Sequence, residues 1–398
     1  MSHGFFPASM LLESKVPASL IPKCGACGLF KSCKTPKMEV TGSGKRKILV
    51  VGEAPSKTDD SRGRQFSGES GEYLSKILKQ VDVSLERDCW MTNALICHPS
   101  GELEDKQIGY CQPNLSRSIK DLQPHTIILL GRAPVRSLLS SIWKEDVGPI
   151  AAWTGWQIPF RETNTWVCPT WNPAFVVNNK DMMLQFFFEK HIRAAASLQG
   201  RPWRTEPPSL DDQVEVIFDV DKAASIIRKM VSKGGVAAFD YETNMLKPEG
   251  QFAEILCCSI SWEGQKTIAY PWRGRAKEAT FEFLRSSNIK KIASNLKFEE
   301  RWTRHEFGVG VRGWLWDTML AAHVIDNRPL ITSIKFQSFI HLGVPSYDEH
   351  IKPFLKTKTG VNRAAQEIEF KKLLHYNALD SLFEYLVAVQ QMEHIGIP

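Results

Sequence analysis

No apolar run in this sequence of 398 residues approaches the ~18 consecutive residues of a membrane-spanning helix, so a span is not expected. The first residues, Met1 to Glu13, lack the basic start and long apolar core of a secretory signal, which points to a soluble, cytoplasmic protein. Internal repeats and low-complexity tracts are missing, which excludes solenoid arrays. A strong charge of either sign is lacking too: the formal net charge of +6 permits contact with a phosphate backbone without demanding it. A nucleotide-hydrolysing phosphate loop is also absent. Gly42-Ser-Gly-Lys45 has the outline of one, but Arg46 stands where Ser or Thr is needed, and the segment precedes a strand instead of following one. Its basic residues, with Arg62 and Arg64, read either as phosphate contacts or as a solvated loop.

What is present fits two globular domains. Hydrophobic residues make up 43% of the chain, enough for two cores at this length. The stretch from Gln199 to Gln213, rich in Pro, Gly and charge, separates two periodic regions. The expected division is residues 1–200, a linker at 201–212, and residues 213–398. The many Trp and Phe side chains could stack bases, but most aromatics at such positions fill cores.

Toward the C-terminus four short stretches follow one another: Asp240-Tyr-Glu242, Asn295-Leu-Lys-Phe-Glu299, Asp317-Thr-Met-Leu320 and Tyr376-Asn-Ala-Leu-Asp380. Asp240 ends the apolar run Val236 to Phe239, so it and Glu242 lie two apart on an extended segment and share a face. Tyr376 and Asp380 are four apart in a segment of helical apolar period and share a face as well. An Asp-x-Glu triplet alone arises about once by chance in a chain of this length, but the ordered set is far more specific. Two divalent ions about 4 Å apart repel by on the order of 15 kcal/mol at an effective dielectric near 20, so three or four carboxylates must offset that charge. Hard oxygen ligands suit magnesium or manganese, which orient an attacking water and stabilise the leaving sugar oxygen in phosphodiester hydrolysis.

Over about residues 213–398 these stretches resemble the proofreading exonuclease domain of family A DNA polymerases, in the superfamily named for four acids and a tyrosine. The resemblance implies that Asp240, Glu242 and Asp380 hold two Mg2+ or Mn2+ ions, that Glu299 stands in the third acid's place, and that Tyr376 orients the water. Most relatives carry Asp where this chain has Glu299, with Glu300 beside it; the extra methylene bears on rate and metal preference more than on reaction class. Asp317 opens a stretch similar to one that packs near the site in that family, and helix N-capping is an equal reading. Relatives continue past Tyr-x-x-x-Asp into a polymerase domain, so polymerisation is not expected here and a separate DNA polymerase is the expected partner.

The nine cysteines are unevenly used. Cys24-Gly-Ala-Cys27 reads as part of a Gly- and Lys-rich loop, Cys97 follows the segment Cys89 to Asn93, and Cys111 is expected to open a helix. In a cytosolic chain such spacing favours a metal over a disulfide, either tetrahedral zinc or a cubane iron-sulfur cluster. Cys33 is a nearby competitor, while Cys89, Cys168, Cys257 and Cys258 lie in apolar segments and read as core thiols. A buried strand, Lys47 to Val51, runs into Gly52-Glu-Ala-Pro55; Gly63-Arg-Gln-Phe66-Ser-Gly68-Glu-Ser-Gly71 and a helix from Tyr73 to Val81 follow. With Thr92-Asn93, the strand before Gly131 and Pro169-Thr-Trp-Asn-Pro173, this resembles a family 4 uracil-DNA glycosylase over about residues 20–198. The resemblance implies a [4Fe-4S] cluster on Cys24, Cys27, Cys97 and Cys111, with Cys33 outside.

A base removed from DNA must be flipped out, stacked on a ring and read through its Watson-Crick edge, and Phe66 and Asn93 supply that ring and amide. In the resemblance Glu53 and Asp59 lie in the loop that positions the attacking water, and Gly52, Pro55, Gly68 and Gly71 let the backbone approach closely. Family members usually have His-Pro-Ser where this chain has Asn172-Pro173-Ala174, and that His donates to the charge developing on the base. Losing such a donor costs about 2.7 to 4 kcal/mol, or roughly 100- to 1,000-fold in rate, although Asn still donates a neutral hydrogen bond.

The expected architecture is therefore a doubly wound parallel sheet followed by a ribonuclease-H-like mixed sheet. The expected function is 3'-5' exonuclease action on DNA, single-stranded or at a 3' end, with an N-terminal module that docks DNA or senses or excises uracil. An active uracil glycosylase and a non-catalytic replication assembly factor are the alternatives. The fusion resembles phage-encoded replication proteins, which implies a bacterial cytoplasm. The acids read a phosphodiester and not a sugar, so the preference for DNA over RNA rests on the glycosylase-like half.

Overall fold

A computed structural model describes residues 21–143, 146–263, 265–349, 351–355 and 368–397. The reading of residues 1–13 as free of a signal lies outside the described residues. No described helix is long and apolar enough to cross a membrane. The chain divides into two compact units, one running to Pro207 with Gly343–Ser346, the other formed by Pro208–Leu342 and the residues from Tyr347 onward.

In the first unit β1 (Ile48–Gly52), β2 (Cys89–Asn93), β3 (Thr126–Leu130), β4 (Ile158–Phe160) and β5 (Thr165–Thr170) make one sheet in the order β2-β1-β3-β5-β4. All neighbours are parallel except the edge hairpin of β4 with β5. β1 and β3 are unbroken apolar runs because both of their faces are covered. The chain leaves β1 for β2 on one side and returns to β3 on the other, which opens a crevice at the carboxyl ends of β1 and β3.

Helices of this unit include α1 (Cys24–Cys27), α2 (Lys57–Arg62), α3 (Glu69–Lys79), α4 (Asp105–Leu122), α5 (Arg132–Leu139), α6 (Pro173–Asn179) and α7 (Met182–Ala196). Leu74, Ile77 and Leu78 of α3 and Phe188 and Ile192 of α7 bury against Ile48, Val50 and Ile128. Two local expectations need correction. Cys24–Cys27 is a helical turn and not open loop, because Gly28 takes the left-handed conformation (φ 74°) and its N–H closes the turn on the Cys24 carbonyl. Cys111 sits inside α4 instead of opening it: the helix begins at Asp105, where Gln107 accepts the Glu104 backbone N–H. Part of the expected linker is also anchored. Arg201 donates to the carbonyls of Thr163 and Asn164, and Asn164 Oδ1 accepts the Trp203 N–H at 3.0 Å.

The second unit is built on a six-stranded sheet of β6 (Val214–Val216), β7 (Gly235–Thr243), β8 (Ile255–Trp262), β9 (Thr267–Pro271), β10 (Ile289–Ala293) and β11 (Trp314–Asp317), in the order β11-β10-β7-β8-β9-β6. β8 runs antiparallel to both its neighbours and the other pairs are parallel, a mixed ribonuclease-H-like sheet. Its helices include α8 (Val220–Lys233), α9 (Gly274–Arg285), α10 (Lys297–Phe307), α11 (Thr318–Ile325), α12 (Ile334–Leu342) and α13 (Phe370–His394).

The alternation of β7 positions the site. Ala237, Phe239 and Tyr241 face a core completed by Ile227 of α8, Phe283 of α9 and Trp302 of α10. Ala238 points the opposite way, into a cluster with Ile292 and Ala388 of α13, and by the period of two Asp240 and Glu242 point that way as well. The middle of α13 buries polar side chains (Asn377, Asp380, Ser381, Glu384) along with apolar ones (Leu374, Leu379, Phe383, Val387), so it is largely enclosed by its own domain. Phe239 is fully buried, stacked on Trp314 at 5.6 Å and edge-on to Phe283 at 5.8 Å. Phe239→Ala should lower the stability of the second unit by about 3–5 kcal/mol in denaturant titration, and a loss below about 1 kcal/mol would show that this core does not hold β7.

Candidate active site

Asp240 and Glu242 from β7 meet Asp380 from α13, with ligand oxygens all within 4.8 Å of one another. Asp240 stays partly exposed, while Glu242 and Asp380 are buried. The contact of helix and strand is pinned opposite Asp240: Ser259, its cross-strand partner on β8, donates to the Asn377 carbonyl at 2.7 Å and bonds to Ser381. Asn377 Nδ2 donates to Asp240 Oδ2 at 2.6 Å. Asp380 accepts hydrogen bonds from Tyr347 and Tyr376.

Glu299 enters from the first turn of α10 and is 1% exposed, with Oε2 making no hydrogen bond. Its neighbour Glu300 is spent on structure, taking the Arg304 guanidinium, the Val311 N–H and the Trp314 indole N–H. Asn295 explains the motif that precedes Glu299, because it sits at φ 64°, a left-handed position that Asn tolerates better than most residues. Asp317 serves both of its expected roles. It caps α11 through the Met319 and Leu320 N–H groups, and it holds the Asn295–Leu296 turn through their N–H groups at 3.0 and 3.1 Å.

Electrostatics in this cage are adverse without a cation. Burial, then the Asp380 carboxylate, pushes Asp240 well above the usual carboxyl range. Burial and the Asp240 and Asp380 carboxylates do the same to Glu242, and burial and Asp240 to Glu299. Lys335, paired with Asp348 at 2.5 Å and 5.7 Å from the Tyr376 ring centre, offsets part of the charge on Asp380. Tyr347, Lys335 and Asn377 carried no role in the sequence reading; only Asn377 has a local signal, its place three residues before Asp380 on the same helical face.

In the first unit the base-pocket residues gather at the crevice beyond β1 and β3. A Cβ on Gly52 would lie 2.4 Å from Asn93 Oδ1 and 3.1 Å from the Phe66 ring, so that amide and that ring meet over a glycine. Gly71 has to be bare for Phe66 to take its place, since a Cβ there would lie 1.9 Å from the Phe66 carbonyl. Phe66 itself adopts φ 54°. Asn93 is 3% exposed and its Nδ2 is a buried donor without a partner. Asp59 is committed to the loop, accepting from Ser56 N, Ser56 Oγ and Ser67 N. Asn172 caps α6 through Oδ1 and donates through Nδ2 to Glu53 at 2.8 Å, while the other Glu53 oxygen takes the Ala133 N–H.

Cys24, Cys27, Cys97 and Cys111 line a single cleft with Leu29, Phe30 and Leu95. The Lys37 N–H donates to Cys97 Sγ at 3.2 Å and Asn114 Nδ2 to Cys111 Sγ at 3.4 Å, contacts that suit thiolates. The Cys33 thiol bonds to Cys97 without lining the cleft. Cys89, Cys168, Cys257 and Cys258 are buried.

The profile of the Uracil DNA glycosylase superfamily matches residues 40–196, and that of a 3'-5' exonuclease matches residues 214–387. The type-4 uracil-DNA glycosylase of Saccharolobus solfataricus is 30% identical over 187 residues, 45% of this chain and 85% of that protein. Through its first domain the chain belongs to the uracil-DNA glycosylase superfamily. That of Sulfurisphaera tokodaii is 31% identical over 166 residues, 40% of this chain and 73% of its own length. The second domain of this superfamily member is a 3'-5' exonuclease domain. Among solved structures, Escherichia coli RNase D, an exoribonuclease involved in structured RNA processing, superposes with a TM-score of 0.35 at 14% identity, over 45% of this chain and 44% of its own.

Acids held above their usual pKa by folding give the folded chain more bound protons than the unfolded one, from about pH 4 up to the raised values. Their contribution to stability therefore falls as pH rises through that window. In chelator, Asp240→Asn should melt higher than wild type, with the gap widening from pH 5 to pH 8. A gap that is absent or that narrows with pH would show that these carboxylates do not crowd one another.

Proposed function

We propose that the chain is a divalent-metal-dependent 3'-5' exonuclease acting on DNA, whose first domain docks the strand and reads a base. The carrying observation is the triad of Asp240, Glu242 and Asp380 within 4.8 Å, inside the segment matched by the 3'-5' exonuclease profile. The donor set fits magnesium or manganese: its oxygens are hard, it is crowded with like charge, and Glu299 Oε2 is buried without a partner. Asp240, Glu242 and Asp380 would hold the ions, with Glu299 completing the cage. Such ions, when bound, orient an attacking water and stabilise the leaving oxygen. Asn377 fixes Asp240, and the Tyr347 and Tyr376 hydroxyls fix Asp380. Burial, then the Asp380 carboxylate, holds the Tyr376 phenol well above its usual pKa, so it keeps its one proton, donated to Asp380, and offers its oxygen lone pair to orient a water.

The preference for DNA rests on the glycosylase superfamily domain. There Phe66 stacks the base and Asn93 Nδ2 reads it, while Asn172 spends an amide hydrogen on Glu53. One amide hydrogen of Asn172 remains, a neutral donor where glycosylases of this kind usually carry His, so excision at that site is slow by up to roughly 100- to 1,000-fold and base sensing dominates. The four cleft thiols support a [4Fe-4S] cluster. The likeness of this domain to type-4 uracil-DNA glycosylases is what favours iron-sulfur over zinc at these thiols. A separate polymerase in a bacterial or phage-infected cell would supply the 3' ends.

One gel tests both halves, with a 5'-labelled, uracil-containing strand incubated with Mg2+ or with EDTA. The expected result is shortening from the 3' end that EDTA abolishes and that Asp240→Ala slows by at least about a thousandfold, with little alkali-labile breakage at uracil. Undiminished shortening by Asp240→Ala, faster loss of an RNA strand than of DNA, or complete breakage at uracil in EDTA would each contradict this reading.

A further inference from the structure

A fifth acid stands at the cage that no motif announced. Glu384 lies on α13 one turn beyond Asp380, on the same face, and is 2% exposed. Its two oxygens differ in circumstance. Oε1 accepts the Ser294 N–H at 3.1 Å, at the turn that leads from β10 into Asn295 and Glu299. Oε2 is buried and makes no hydrogen bond, like Oε2 of Glu299. A buried carboxylate oxygen without a donor costs free energy that something must offset. The carboxylates that act on Glu384 are, in order of influence, Asp240, Glu299 and Asp380, and with burial they hold it well above its usual pKa. Two orphaned oxygens from two helices thus belong to acids tied to the site by chain geometry, Glu384 one turn from Asp380 and bonded to the turn that leads to Glu299.

We infer that Glu384 is a further metal-binding carboxylate, which together with Glu299 and Asp240 holds the second of the two divalent ions. This rests on the two-ion reading of the site and deepens it by dividing the ligands: Asp240, Glu242 and Asp380 serve one ion, and Asp240, Glu299 and Glu384 the other, with Asp240 shared. The Ser294 hydrogen bond fixes one oxygen of Glu384 and leaves the other for the cation. The same contact ties Glu384 to the turn that carries Glu299, so both second-ion ligands are oriented by one short segment.

The test is a Mn2+ titration of the full-length protein, followed by electron paramagnetic resonance of the free ion, on wild type, Glu384→Gln and Asp240→Asn. Gln keeps an oxygen for the Ser294 N–H and the shape of the side chain. The wild type should bind two Mn2+, and Glu384→Gln should keep the tighter site while the weaker one loses at least about tenfold in affinity. In chelator Glu384→Gln should melt at or above wild type, since it removes a crowded carboxyl. Unchanged affinity at both sites, or melting of Glu384→Gln below wild type with both sites intact, overturns the assignment of Glu384 alone. A wild type that binds fewer than two ions, or an Asp240→Asn variant that keeps both, overturns the two-ion reading itself and this inference with it.

Discussion

Repulsion among carboxylates gathered around Asp240 is the constraint to which the second domain is built. Two carboxylate charges about 4.8 Å apart repel by on the order of 3 kcal/mol at an effective dielectric near 20. Glu242 and Asp380 come that close, and Glu299 and Glu384 press on Asp240 as well. The fold keeps the group together by covalent and packing means that do not depend on the charges. β7 places two acids by its pleat because Phe239 and Tyr241 are locked in the opposite core. The middle of α13 is buried and pinned to β8 by Ser259, which holds Asp380 at the site. Hydrogen bonds then select which oxygens face one another: Asn377 takes one from Asp240, and Tyr347 and Tyr376 bond to Asp380. Folding stores electrostatic cost in one place, and a divalent cation there returns it.

The first domain works with close approach in place of charge. Gly52 and Gly71 are bare where Asn93 and Phe66 need the space, and the crevice at the ends of β1 and β3 supplies the depth. The unpartnered Asn93 amide is the counterpart of the unpartnered Glu299 oxygen: each is a buried polar atom without a hydrogen-bond partner. At Asn172 the opposite holds, for its amide is bonded to Glu53 and to the start of α6.

Local periodicity made much of this visible in the sequence. Asp240 and Glu242 follow from a period of two, Tyr376 and Asp380 from a period of 3.6, and the parallel sheet from the apolar runs at Ile48–Val51 and Thr126–Leu130. The glycines around Phe66 were legible as backbone devices, whereas the left-handed conformation of Asn295 was not. What escaped was set by tertiary contact. Tyr347, Lys335 and Glu384 carry no pattern that distinguishes them from core or surface residues, and they matter only because α13 faces the loop beyond α12 on one side and the end of β10 on the other. The turn at Cys24–Cys27 and the early start of α4 escaped for a different reason. A Gly-rich segment reads as loop even where a left-handed glycine closes a turn, and Glu104 with Gln107 is not an obvious helix start.

Anomalous diffraction from crystals of the full-length protein soaked in manganese tests the central claim most directly. Two peaks about 4 Å apart, both bordered by Asp240, are predicted at the cage, with no peak of comparable height elsewhere in the second domain. Density without a peak at Asp240, or acids pointing to separate surfaces once manganese is present, would contradict it.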